Sequence, residues 1–313
     1  MILRVFTILI LFSTALVAQE IEYKNLEERN GKMYEKGSSE TFSGNFIDNY
    51  PDGTKKMMGT YKDGIPEGKW IRWHENGQKA AEWYYLNGLW HGKSIYWYSD
   101  GQILHQGEYF EGMQDGRWIH WYSNGQKEKE GYYAKGLRNG KFTNYYDNGQ
   151  VEVERTYLVG KENGPWVFYL PDGNKIAEGV YKMGKEDGLI IMYQPNGKID
   201  VEQSFKDGKR DGMWMYYYED GTQKKQEFYS EDKKSGTWID WDEDGRKTKQ
   251  INYLNDLKDG IWTYYHPNGK KRYEIIFVQD KAEGTATWWD EKGNVTKTSE
   301  WKNGKEIKEV PSF

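Results

Sequence analysis

The sequence predicts an all-β fold: an extended, twisted antiparallel meander of eleven 24-residue β-hairpin repeats, arranged like a solenoid. Three columns of residues predict it. Glycine recurs every 24 residues, at Gly44, Gly68, Gly92, Gly116, Gly140, Gly164, Gly188, Gly212, Gly236, Gly260 and Gly284. A second glycine follows each of these nine residues later, from Gly53 to Gly293. Seventeen residues after each leading glycine the chain is always aromatic, from Tyr61 to Trp301. Self-similarity at a fixed period of this size is the mark of a stacked repeat architecture.

Each element of the repeat has its own reason. Counting the leading glycine as position 0, positions 2 to 5 are aromatic and β-branched, as in Trp70-Ile71-Arg72-Trp73, which suits a strand. The residue before the second glycine is Asn or Asp in ten of eleven repeats, Lys292 being the exception. Asn-Gly or Asp-Gly between two runs predicts a type I′ hairpin turn there. A second strand follows, such as Gln126 to Tyr133, ending on the aromatic column. A third glycine at position 20 predicts another turn, with Asp232, Asp256 and Asp280 in its place in repeats eight to ten. Asp tolerates left-handed backbone, so the turn survives the replacement. Short connections favour neighbouring antiparallel strands, and a sheet that long must twist.

Within the first strand, position 3 is mostly Ile or Val and position 5 is Trp or Tyr from repeat two onward. Period two places these on one face and the Trp or Phe of position 2 on the other, unless a bulge intervenes. Both faces therefore carry aromatic residues, and the sequence leaves open which is covered.

Outside the array, residues 1–18 read as a signal peptide: Arg4, a short apolar run and Ala15-Leu16-Val17-Ala18 before polar Gln19-Glu20. Residues 19–43 read as an N-terminal cap with a degenerate repeat, 44–304 as the array, and 305–313 as a polar C-terminal tail. The expected location is outside the cytoplasm: periplasm, cell surface or medium. No further apolar segment predicts a transmembrane helix in the mature chain. A transmembrane barrel fits poorly, because Lys and Glu recur where a lipid face needs apolar residues.

The composition narrows the function classes. The chain has 36 Gly, 15 Trp and 26 Tyr, yet its mean hydropathy is −1.00 and 30% of its residues are charged. A thin, aromatic-held sheet suits this better than a thick aliphatic core. The net charge of −5 lacks the footprint of a nucleic-acid binder. With no Cys, thiolate catalysis and thiolate metal sites are excluded.

Chemistry-bearing residues are few or regular. The five His (His74, His91, His105, His120 and His266) form no pair at metal-ligand spacing, and no metal or cofactor is expected. Position 14 carries Glu82, Glu130, Glu154, Glu178, Glu202 and Glu274, best read as a solvated face of Glu beside Lys. No catalytic residue is assigned. The candidate binding feature is the position 5 row: Trp73, Trp97, Trp121, Tyr145, Tyr169, Tyr193, Tyr217, Trp241, Tyr265 and Trp289. Facing solvent, the row would stack sugar rings or grip a peptide; otherwise it is the sheet's own packing.

The segments Gly-Lys-Trp-Ile-Arg-Trp-His-Glu-Asn-Gly-Gln-Lys (68–79) and Gly-Arg-Trp-Ile-His-Trp-Tyr-Ser-Asn-Gly-Gln-Lys (116–127) resemble the bacterial MORN-repeat variant, proteins often labelled YwqK-family antitoxins. The resemblance spans residues 44–304. It implies a β-hairpin repeat used for interaction, without established catalytic residues, and the label implies a toxin partner. The leader argues against an intracellular antitoxin and leaves an immunity or envelope role. The expected function is an exported, non-enzymatic surface for an unidentified protein partner; the alternative is an envelope polysaccharide or glycan binder using the Trp/Tyr row.

Overall fold

A computed structural model describes residues 20–311, and side chains to residue 309. The leader lies outside the described residues. The chain divides into two compact units, residues 1–116 and 117–313. Each is an antiparallel meander of 24-residue hairpins, so the predicted fold class holds. No described helix is long and apolar enough to cross a membrane.

The order along the chain follows the repeat. In repeat two, Ile65–Trp73 runs out, a turn follows, Lys79–Leu86 returns, and a second turn leads to the next repeat. Strands pair with both neighbours: Ile71 faces Met58 behind it and Glu82 ahead. In repeat two the leading glycine does not begin the strand but interrupts it. Gly68 has φ +67, and the register slips there, Met58 pairing with Ile71 but Thr60 with Glu67. This bulge turns the Trp of position 2 inward, which is why an invariant glycine precedes it.

The first turn is not the type I′ turn expected of Asn-Gly. It is a three-residue loop. Gly77 N–H donates to the His74 carbonyl at 2.9 Å, His74 N–H donates to the Gln78 carbonyl at 2.8 Å, and only the glycine has positive φ. This is a type I turn closed by a left-handed glycine, so the Asn before it is not left-handed. Its side-chain oxygen instead accepts the N–H two residues on, as Gln78 N–H donates to Asn76 Oδ1 at 3.1 Å. The type I′ turn is the second one, where positions 19 and 20 both have positive φ, as at Asp63 (+52) and Gly64 (+77). Asp232, Asp256 and Asp280 keep this conformation at φ +71, +71 and +66, as expected of Asp. Each also accepts a backbone N–H from the preceding repeat, Lys258 to Asp280 at 2.7 Å for example.

The core is a ladder of rings on one face, alternating positions 2 and 17. In residues 20–116 it runs Phe46, Tyr61, Trp70 and Tyr85, with centroids 4.9–5.4 Å apart. In residues 117–311 the longest run is Phe205, Trp214, Tyr229, Trp238, Tyr253, Trp262 and Phe277, at 5.1–5.5 Å. Most contacts are tilted or edge-on, the arrangement that ring quadrupoles favour, worth ~1 kcal/mol each beyond burial. Position 15 makes room. The Trp70 ring lies on Gly59, where an added Cβ would sit 2.5 Å from it. The indole N–H then donates to a carbonyl beside the bulge: Trp70 to Thr60 at 3.3 Å, Trp262 to Asn252 at 2.9 Å.

In the N-terminal unit, Glu20–Glu22 pairs in parallel with the Gly44–Asn49 strand, and Leu26–Arg29 forms a hairpin with Lys32–Glu35. Ile21, Leu26, Met33 and Phe42 are buried against Phe46 and Tyr61. The final strand, Lys305–Pro311, pairs with Val295–Lys302. Its Lys and Glu residues suit a sheet edge.

Candidate interaction surfaces

The face opposite the ladder carries positions 3, 5 and 14. Ile119, Thr143, Met215 and Thr263 of position 3 are buried at its centre. Positions 3 and 5 share this face, as period two predicts. All ten rings of the position 5 row (Trp73, Trp97, Trp121, Tyr145, Tyr169, Tyr193, Tyr217, Trp241, Tyr265 and Trp289) are half-buried.

The row is clad by charge. Lys79, Lys127, Lys175 and Lys271 each bridge a Glu of their own repeat and a ring of the next. Their ammonium groups lie 2.5–3.1 Å from Glu82, Glu130, Glu178 and Glu274. The same groups lie 5.7–5.9 Å from the ring centres of Trp97, Tyr145, Tyr193 and Trp289. At three of the five Tyr of the row the hydroxyl donates back to the Glu: Tyr145 to Glu130 at 2.6 Å, Tyr217 to Glu202 at 2.9 Å, and Tyr193 to Glu178. Charge-assisted bonds of this kind are short and strong, and a cation over a ring adds to them.

These contacts set the protonation states. Partial burial pushes the Glu130 carboxyl up, but Tyr145, Arg117 and Lys127 outweigh it and hold it at about 2. Burial likewise opposes, and Lys69 and Lys79 overcome, to bring Glu82 below its usual range. Lys175 and Tyr193 lower Glu178. Burial and the neighbouring carboxylate raise the Tyr145 and Tyr217 phenols to about 12. Glu82, Glu130 and Glu178 are therefore carboxylates, and Tyr145 and Tyr217 neutral phenols, at neutral pH. A carboxylate held at about 2 is a poor general acid.

The turn edges carry ladders that the residue types alone did not reveal. On the first-turn edge, the side chain of position 6 donates to a backbone carbonyl of the next repeat: Tyr50 to Trp73, Tyr122 to Tyr145, Tyr146 to Tyr169 and Tyr218 to Trp241, at 2.7–2.8 Å. His74 and His266 occupy this same position and reach Trp97 and Trp289 at 3.0 and 2.8 Å. A carbonyl only accepts, so Nε2 carries the proton in both. On the second-turn edge, the residue before the leading glycine caps the next turn in most repeats, His91 being an exception, as Glu67 accepts from Asn87 N–H at 2.8 Å. Reading position 23 as a column of Glu, Asp, Asn and Ser would have disclosed this role. Among the described residues, no group of three His, Cys, Asp or Glu is placed to hold a metal ion.

Seven segments match the MORN repeat variant family: residues 66–87, 90–111, 114–135, 138–158, 186–207, 258–279 and 282–303. Each begins two residues before a leading glycine and takes in one outgoing strand, the first turn and one returning strand. A search of curated proteins found no match. Among solved structures, the chain is similar to part of TcdB2-TccC3-TEV, with 13% identity over 86% of this chain and 16% of that one, TM-score 0.17. It is also similar to part of a Photorhabdus luminescens Tc holotoxin pore, with 11% identity over 91% and 18%, TM-score 0.17. For TcdB2-TccC3 without its hypervariable C-terminal region the values are 11%, 88%, 17% and 0.18. The chain spans less than a fifth of each of these. The seven family matches, all in phase with the 24-residue frame, support a MORN-repeat protein.

Proposed function

We propose that this chain is an exported, non-enzymatic interaction scaffold that offers its charged face to a protein partner. One observation carries the reading: the same trio of half-buried ring, Glu and bridging Lys recurs in one register in repeats two, four, six and ten. Recurrence at a fixed spacing suits recognition along an extended partner, whereas an active site is a departure from the repeat. Carboxylates held ionised by Lys and Tyr support the non-enzymatic part. Lysines already lie over several rings of the row, which favours a protein partner over a stacked sugar. Export rests on residues 1–18, and an immunity role on the family label.

The test is affinity capture. The protein purified from its cells, immobilised, is exposed to envelope extract, and the bound material is analysed for protein and carbohydrate. One protein retained at stoichiometric level is the expected result and identifies the partner. Carbohydrate retained without protein would overturn the reading in favour of a glycan binder. Mass analysis of the purified chain checks export: loss of residues 1–18 is expected, and an intact N-terminus in the cytoplasmic fraction would remove that part.

A further inference from the structure

The second-turn edge of repeats five to seven breaks the repeat pattern in two independent ways. The first is electrostatic. Positions 18 and 21 face each other directly across the two-residue turn. In repeats two and nine they are Leu86 with Leu89 and Leu254 with Leu257. In repeats six and seven they are Lys182 with Lys185 and Lys206 with Lys209; the same pair occurs singly in repeat eleven, Lys302 with Lys305, and only here do two such pairs stand side by side. Like charges directly opposite one another destabilise a sheet. With Lys161, five successive strands each bring a lysine to this edge, ~4.8 Å apart from strand to strand. All five are exposed. Among the described residues, Lys209 alone of the five has a carboxylate in ion-pair range, Glu231 at 3.9 Å. Of the nearby acids, Asp187 and Asp211 accept turn N–H groups at 3.3 and 3.1 Å.

The second departure is conformational. Position 19 sits in left-handed backbone, and most repeats place there a residue that water accepts, such as Asp63 or Asn87. Here two adjacent turns carry Val159 at φ +49 and Met183 at φ +51. A β-branched residue in this conformation is rare and strained. Both side chains are nevertheless open, Val159 at 63% and Met183 at 48% exposure, with Leu158 beside them at 44%. Folding accounts for neither the unpaired lysines nor the strained, exposed Val.

We infer that this edge docks an acidic protein segment in which carboxylates alternate with apolar side chains, the ammonium groups taking the acids and Val159 and Met183 the apolar residues. The inference rests on the interaction reading above and specifies its partner chemistry. A bilayer surface fits less well, because the next turn tip is Asp207, a carboxylate where a lipid face would take a third apolar residue. Nucleic acid fits less well too, since the row has no Arg and no exposed aromatic ring to stack a base.

The probe is a short fluorescent peptide of Glu and Asp with Leu at every third position, titrated against the full chain at low salt and followed by anisotropy. Binding is expected to weaken as salt is raised. It should fall roughly tenfold or more in the Lys182→Gln/Lys185→Gln/Lys206→Gln variant. It should fall several-fold in Val159→Asn/Met183→Asn, whose Asn residues suit the backbone and keep the fold. Lys62→Gln/Lys302→Gln, at the same repeat position elsewhere, should bind as the unchanged chain does. Thermal unfolding of each variant shows that it is folded. Absence of peptide binding, or equal binding by the lysine variant, would overturn the inference. So would lysine-dependent sedimentation with phosphatidylserine vesicles in place of peptide binding. If the partner captured from envelope extract is retained equally by the unchanged chain and the lysine variant, the scaffold reading stands and this site falls.

Discussion

The ladder of residues 20–116 and that of residues 117–311 rest on the same backbone frame but are closed by different side chains. In the first, position 22 holds Phe42, Pro66, Trp90 and Gln114, apolar in all but the last. Trp90 stacks on Trp83 at 5.8 Å and meets Tyr85 and Tyr109 edge-on. In the second, the same position supplies a cation in four repeats, while Ala282 there is buried in the core. Arg138 lies over Phe142 and Tyr157, Arg210 over Tyr229, Lys234 over Trp238 and Tyr253, and Lys258 over Trp262 and Phe277, at 4.1–5.3 Å. Where Glu162 takes position 22, Arg155 provides the cation, over Phe168 at 5.1 Å and 3.6 Å from Glu162. A ring at the margin of a one-layer core is satisfied by anything that lies flat on it, because the stem of Lys or Arg excludes water as an apolar residue does while its charge stays wet. Position 22 therefore has no consensus residue type, although Trp90, Arg138, Arg210, Lys234 and Lys258 all cover ladder rings from it.

The largest effect should come from the ladder itself. Trp70→Ala and Trp262→Ala each remove a buried ring and its indole hydrogen bond, costing about 3–5 kcal/mol. Trp70 touches four other rings and Trp262 two, so Trp70→Ala should cost more. Urea unfolding followed by circular dichroism ranks them, and the opposite order would show that ring contacts do not govern the difference. Next, Glu130→Gln should cost about 1–2 kcal/mol at pH 7, since Arg117, Lys127 and Tyr145 lose an ionised acceptor. Glu130 is held at about 2 against an ordinary 4.5. Its contribution is thus present above about pH 4.5 and lost as pH falls toward 2. The unchanged chain and the variant should converge in stability across that window, and a constant gap would refute the assignment.

Smaller again is the effect of the margin. Trp90→Ala should cost about 2 kcal/mol and Lys258→Ala about 0.5–1 kcal/mol, while Lys258→Met should be near neutral because its stem still covers Trp262. Equal losses from Lys258→Ala and Lys258→Met would mean that the charge, and not the stem, closes the second ladder. Thermal unfolding of the three variants separates these outcomes.

How much of this was legible follows from what each residue must satisfy. The period, the two turns and the survival of Asp at position 20 were legible because left-handed backbone restricts residue choice. Which turn is type I′ was not. Asn-Gly serves a left-handed pair and a type I turn with a carboxamide cap equally well, and Asn76 does the second. The bulge at Gly68 was concealed because a glycine opening a strand and one interrupting it look alike until the three residues before it are seen to pair. Positions 3 and 5 fell on one face as expected. That the position 5 row would be clad was not legible, because Lys79 reaches Trp97 of the next repeat, a contact set by the register between strands. Position 19 gave least warning: an exposed left-handed site accepts Glu111, Lys135 or Met183 alike.

Val159 is the extreme of that tolerance and carries the smallest predicted effect. If its conformation is held only by the turn, Val159→Asn should stabilise the chain by about 0.5–1 kcal/mol, because Asn enters left-handed backbone with far less steric cost. Met183→Asn, unbranched at Cβ and so less strained, should give a smaller gain. Differential scanning calorimetry of the two variants reads both. A gain that is larger at Val159 means the native sequence retains a strained apolar tip against its own stability, which selection on folding alone would not maintain. No gain would mean that Val159 is relaxed by contacts within the turn, and the exposed tip would then be incidental to the lysines beside it.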